Sequence, residues 1–82
     1  MALNIIGKKI VTARKKAVPR ITQKDLAARL EVQGIHIERV GISKIEAGNQ
    51  RVNDIEIAAI AKALNVTVAW LFGEETSRKT IK

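Results

Sequence analysis

Eighty-two residues without a cysteine, 46% of them hydrophobic and with a net charge of +7, fit one small domain. They exclude disulfides, thiolate zinc sites and cysteine nucleophiles. A domain of this size buries only about 60–65% of its unfolded surface, so its core has little to spare. With Trp70 and Phe72 as the only aromatic residues, that core must be aliphatic and rich in alanine, which suits closely packed helices. Residues 1–6 are apolar apart from Asn4 and give way at once to Gly7-Lys8-Lys9, too short for a signal-peptide core or a membrane span. The absence of cysteine fits a reducing compartment, so the expected location is cytoplasmic.

The charge is unevenly spread. Residues 1–51 hold eleven Lys and Arg against four acids, whereas residues 52–82 hold four of each. An excess confined to one part of the chain points to an anionic partner, nucleic acid before membrane surface.

Asn4 can cap a first helix running to about Ala17, with Ile6, Ile10, Ala13 and Ala17 on one face. Gly7 in its first turn costs helix propensity but allows another helix to come close. Pro19 ends this helix, because it disfavours helical geometry at Val18. Thr22 with Asp25 three residues on forms a capping-box pattern for a second helix. Its buried stripe is Leu26, Ala27 and Leu30, which Val32 extends, and Gly34 stops it. Ile35 and Ile37 then tuck against the core in an extended turn. A third helix covers about residues 39–47, with Ile42 and Ile45 inward and Gly48 as its C-cap. Asn53 and Glu56 repeat the capping-box pattern ahead of a fourth helix carrying Ile57, Ile60, Ala61 and Leu64, which Asn65 closes. Thr67 caps a short fifth helix over residues 68–72, stopped by Gly73. Residues 1–73 thus read as one domain and 74–82 as a polar, basic tail.

Five short helices in this order carry a specific set of motifs. They are Ile6-Gly7-Lys8-Lys9-Ile10, Arg14-Lys15, Thr22-Gln23-Lys24-Asp25-Leu26-Ala27, Ile42-Ser43-Lys44-Ile45-Glu46-Ala47-Gly48 and Ile60-Ala61-Lys62-Ala63-Leu64-Asn65-Val66. Together, over about residues 5–73, they resemble the lambda-repressor and Cro-like (XRE) helix-turn-helix family. The resemblance implies an all-α fold, a compact bundle with the helix-turn-helix at helices two and three. Two departures stand out. Residues 18–21 exceed the family's usual turn by about two residues, and the connection from Leu30 to Ile42 is about five residues longer than usual.

The same resemblance implies a sequence-specific transcriptional regulator of double-stranded DNA, of phage or prophage repressor type. Its third helix enters the major groove, with Arg39, Val40, Gly41, Ser43 and Lys44 towards the bases. Arg39 suits a bidentate contact to guanine and Val40 a thymine methyl. Gln23 corresponds to the family's phosphate-anchoring glutamine. Physically, the Thr22-Gln23 helix end offers unbonded amides to an anion, with Lys24 and Lys8 as weaker candidates. Asn49 and Arg51 form a second phosphate clamp. Glu46, an acid in a basic region, is implied to pair with Arg14. Such small readers usually bind palindromic operators as twofold dimers. Trp70, Leu71 and Phe72 offer the dimer surface, unless Trp70 simply plugs the core.

The alternative reading is the antitoxin of a toxin–antitoxin pair, which binds a protein as well as DNA. A sequence-blind polyanion binder is less well supported, because the helices lack a basic-aromatic membrane face and a stacking platform for single strands. His36 has no second histidine or cysteine beside it, so no metal or other cofactor is expected. Ser43 and His36 lack a nucleophile elbow or Gly-rich loop around them, so no enzyme is expected either.

Overall fold

Three of the helices start on a side-chain cap, Thr22, Asn53 and Thr67, each accepting a backbone amide of the first turn. The computed structural model describes residues 1–74, and the polar tail expected from 74 onward lies outside them except for Glu74. The elements are α1 (Gly7–Lys16), α2 (Gln23–Val32), α3 (Arg39–Glu46), α4 (Asp54–Leu64) and α5 (Val68–Leu71), with no strand among the described residues. The boundaries fall within a residue or so of those predicted, except that α1 begins at Gly7 with Ile6 in its N-cap position rather than directly after Asn4.

The capping boxes form as the spacing predicts. Thr22 Oγ1 accepts the Asp25 amide while the Asp25 carboxylate accepts the Thr22 amide, and Asn53 with Glu56 does the same for α4. The Thr22 amide bonded to Asp25 holds that carboxyl below its ordinary range. At the other ends, α2 and α3 close in Schellman turns on Gly34 and Gly48, both with positive φ (81° and 80°). In each, the amide two residues past the cap reaches back, Ile35 to Leu30 O and Asn49 to Lys44 O, both at 2.9 Å.

The core is a continuous aliphatic cluster in which Ile6, Ile10, Leu26, Leu30, Ile42, Ile60 and Leu71 are almost fully shielded. Burying one such side chain contributes about 1.5–3 kcal/mol. Helix α4 sits centrally, against α1, α2 and α5. Contact on several sides buries Ala59 and Ala63 as well as Ile60, Ala61 and Leu64 of the predicted stripe, with Ile57 partly buried, because small side chains let neighbours approach around the helix. Helix α3 is held by α1 and α2. Ile35 and Ile37 pack against the core from the turn, as expected, whereas Val32 ends α2 exposed to solvent.

Helices α1 and α3 approach closely at Gly7. A Cβ placed on Gly7 would lie 2.5 Å from the Ile45 carbonyl oxygen and 2.6 Å from that of Glu46. Gly7 is therefore the contact point at which the backbone of α1 lies against the end of α3.

Candidate nucleic-acid interface

The amphipathic pattern of α3 turns Ile42 and Ile45 into the core. That leaves Arg39, Val40, Ser43 and Lys44 exposed. Their spacing puts them on one face of the helix, and Val40 keeps 57% of its surface accessible. This face offers a guanidinium, an ammonium, a hydroxyl and an apolar methyl pair, the chemical types that read base edges. Gly41 is half-buried, and a Cβ there would come within 3.0 Å of Ile37 Cγ2. Its missing side chain lets the turn pack on α3, which leaves any approach to the bases to its backbone.

The α2 end offers a second anchor. Its capping box occupies the Thr22 and Asp25 amides, and the Leu26 amide bonds to Thr22 O at 3.0 Å. The Gln23 and Lys24 amides remain at the open helix end, where they and the helix dipole favour an anion. Thr22 Oγ1 is taken as an acceptor but still has a hydroxyl proton to donate. Lys24 and Lys8 are exposed beside or near this region. Asn49 and Arg51, just past the Schellman turn of α3, are exposed too. Among the described residues, no hydrogen bond engages their side chains.

Behind this face is a buried polar junction. Arg14 donates from Nε to Glu46 Oε2 at 2.6 Å and from Nη2 to Glu46 Oε1 at 2.9 Å. The two side chains are 10% and 8% exposed. Arg14 Nη1 also donates to Ile21 O (3.1 Å), and Gln23 Nε2 donates to Glu46 Oε1 (2.9 Å). The Gln23 carboxamide nitrogen therefore ties α2 to α3, a bond that sequence reasoning did not anticipate. The residue's backbone amide and carboxamide oxygen stay available. Because Glu46 is neutralised by Arg14, its charge does not oppose an anion at the outer face.

The lengthened turn carries its own cluster. His36 Nδ1 lies 2.9 Å from Glu31 Oε1 and Nε2 lies 3.5 Å from Glu38 Oε2. The hydrogen bond to Glu31 and the two carboxylate charges raise the imidazole pKa above its ordinary value. His36 thereby bridges the last turn of α2 and the residue that precedes α3. Among the described residues, no group of His, Cys, Asp and Glu could hold a metal ion, and no helix is long and apolar enough to cross a membrane.

At the far side, Leu71 is 0% exposed. Its side chain belongs to the core and is corrected out of the expected dimer surface. Trp70 is half-buried against the core with Lys9 Nζ 4.5 Å from its ring centroid, an intramolecular cation–π contact. Phe72, at 43%, and Val68, at 40%, are the exposed apolar residues of this short helix and its cap. Four residues apart, they share a face.

A family model described as helix-turn-helix matches residues 20–71, more than half of the chain. A search of curated proteins and a search of solved structures each found no match.

Proposed function

The chain belongs to the lambda-repressor and Cro-like (XRE) helix-turn-helix family of DNA-binding transcriptional regulators, and from that premise we propose that it represses transcription by occupying an operator with α3 in the major groove. The observation that carries this reading is the division of α3. Ile42 and Ile45 are buried while Arg39, Val40, Ser43 and Lys44 stand exposed together beside two open amides of α2. In this reading those four residues meet the base edges. Thr22, Gln23 and Lys24 hold one phosphate, and Asn49 and Arg51 hold another.

One such domain covers about half a site, and specific affinity needs more contact surface. We assign a homodimer on a palindromic operator, its half-sites about one helical turn apart, joined through the α5 face that carries Val68 and Phe72. The domain then acts in the cytoplasm, and the mechanism is steric, with no chemistry at the DNA.

The test is recovery of fragments from sheared genomic DNA by the purified protein at near-physiological salt, followed by sequencing. A recurrent palindrome with half-sites about a turn apart supports the reading. Even recovery of all sequences, lost at moderate salt, leaves only a basic surface at work, and directs attention to a protein partner of the antitoxin kind.

A further inference from the structure

Asn4 uses every hydrogen-bonding position of its carboxamide. Oδ1 accepts the amides of Ile6 (3.0 Å) and Gly7 (2.9 Å), which caps α1. Nδ2 donates to the Ile45 carbonyl (3.0 Å) and to the Gln50 carbonyl (2.8 Å). A carboxamide has two acceptor sites and two donor hydrogens, so the group is saturated. Two amides on one side and two carbonyls on the other also fix which end is nitrogen.

The donor half does nothing for α1, since a helix cap needs only the oxygen. It reaches 41 and 46 residues along the chain to the last turn of α3 and to the loop beyond it. One residue earlier, the Leu3 amide donates to Gly48 O at 2.7 Å. Residues 48–50 are thus tied at both ends to the segment preceding α1. Asn49 lies between the tied residues, and Arg51 follows the peptide that Asn4 holds.

We infer that Asn4 is a positioning residue for DNA binding, holding the loop after α3 so that Asn49 and Arg51 meet the phosphate backbone together. The role rests on the DNA-contact reading above. Its physical basis is pre-organisation. A loop already fixed in the free protein keeps both side chains within reach of the phosphates; released from its ties, it forfeits one of those contacts and the counterions that contact releases.

Two variants separate this role from simple capping. Asn4→Ser keeps an N-cap oxygen but cannot reach the two carbonyls. Asn4→Asp keeps both accepted amides and sets a carboxylate against the Ile45 and Gln50 oxygens. Affinity for mixed-sequence duplex DNA is measured across a salt series for the parent, both variants, Arg51→Ala and the Asn4→Ser/Arg51→Ala double variant. Amide hydrogen exchange is measured on the free proteins.

Both Asn4 variants are expected to lower the slope of log K against log salt by about one. That corresponds to about an eightfold loss of affinity near 0.1 M salt. Asn4→Ser should add little in the Arg51→Ala background, because the contact it positions is already gone. Exchange should quicken at the hydrogen-bonded amides of Leu3, Gly48 and Asn49 and stay unchanged in α4. An unchanged salt slope, an equal loss in both backgrounds, or unchanged exchange in the loop overturns the inference. A parent that binds no duplex overturns the DNA reading instead, and the exchange data still decide whether Asn4 holds the loop.

Discussion

Arg14 of α1 and Glu46 of α3 are joined by two parallel N–H···O bonds, with Nε to Oε2 at 2.6 Å and Nη2 to Oε1 at 2.9 Å. The pair is shielded from solvent and lies directly behind the exposed face of α3. It couples the orientation of that face to the body of the domain, and Gln23 extends the coupling to α2 through its own bond to Glu46. One acid therefore collects the three helices that must keep register for a helix-turn-helix to dock.

Glu46→Ala should destabilise the domain by about 3–5 kcal/mol, because it leaves the Arg14 guanidinium buried with only the Ile21 carbonyl as partner. Thermal and denaturant melts check this. A variant that melts like the parent would show the pair to be energetically idle. DNA affinity should fall even at temperatures where the variant is folded.

Gly7→Ala gives a test of opposite intuition. Alanine is the better helix former by about 1 kcal/mol, so propensity alone predicts stabilisation. The added Cβ would meet the Ile45 oxygen at 2.5 Å and the Glu46 oxygen at 2.6 Å, which forces α1 away from α3. The expected net outcome is a loss of about 1–3 kcal/mol in denaturant unfolding. A stabilised variant would mean that α3 shifts freely.

Much of this fold was legible because local signals agreed. Thr22 with Asp25, and Asn53 with Glu56, mark helix starts by chemistry that hardly depends on tertiary context, and Gly34 and Gly48 mark ends that require positive φ. Periodicity separated Ile42 and Ile45 from the exposed positions of α3. What escaped depended on neighbours distant in sequence. Nothing near Ala59 or Ala63 says that α4 is enclosed on several sides. Nor does the cap signal at Asn4 say that its nitrogen reaches Ile45 and Gln50. Leu71 and Phe72 are adjacent apolar residues, and only the packing of α5 decides that one fills the core and the other faces out.

Arg39→Ala and Arg51→Ala should differ in kind. Loss of a bidentate base contact costs about 1–3 kcal/mol and relaxes the choice of base at one operator position. Loss of a phosphate contact weakens all sequences about equally and lowers the salt slope. Binding to a panel of single-base operator variants distinguishes them. An even loss from Arg39→Ala would reassign that residue to the backbone.

His36 gives the domain a pH dependence. Its folded pKa is raised by the hydrogen bond to Glu31 and by the charges of Glu31 and Glu38. Protonation is therefore favoured by folding. The stabilisation is fully present below the unfolded value near 6.5 and is lost as pH rises through the folded value above it. Melting temperature should fall slightly from about pH 6 to about pH 8, and His36→Gln should flatten that segment. An identical slope in the variant would assign the dependence to other groups. The effect is small, because the imidazole and both carboxylates are well exposed.

Phe72→Ser tests the assembly. Phe72 and Val68 present adjoining apolar surface, whereas Leu71 is spent in the core and Trp70 is held by Lys9. A polar residue at position 72 removes apolar surface from the proposed dimer face while leaving the buried cluster intact, so the monomer's melting temperature should change little. Binding to a two-half-site duplex should weaken and lose its cooperativity, while binding to an isolated half-site stays the same. Sedimentation at matched concentrations should show a shift from dimer to monomer. A variant that keeps cooperative binding would move the interface off α5. A variant that loses half-site binding as well would show that position 72 acts through the fold of the reader itself.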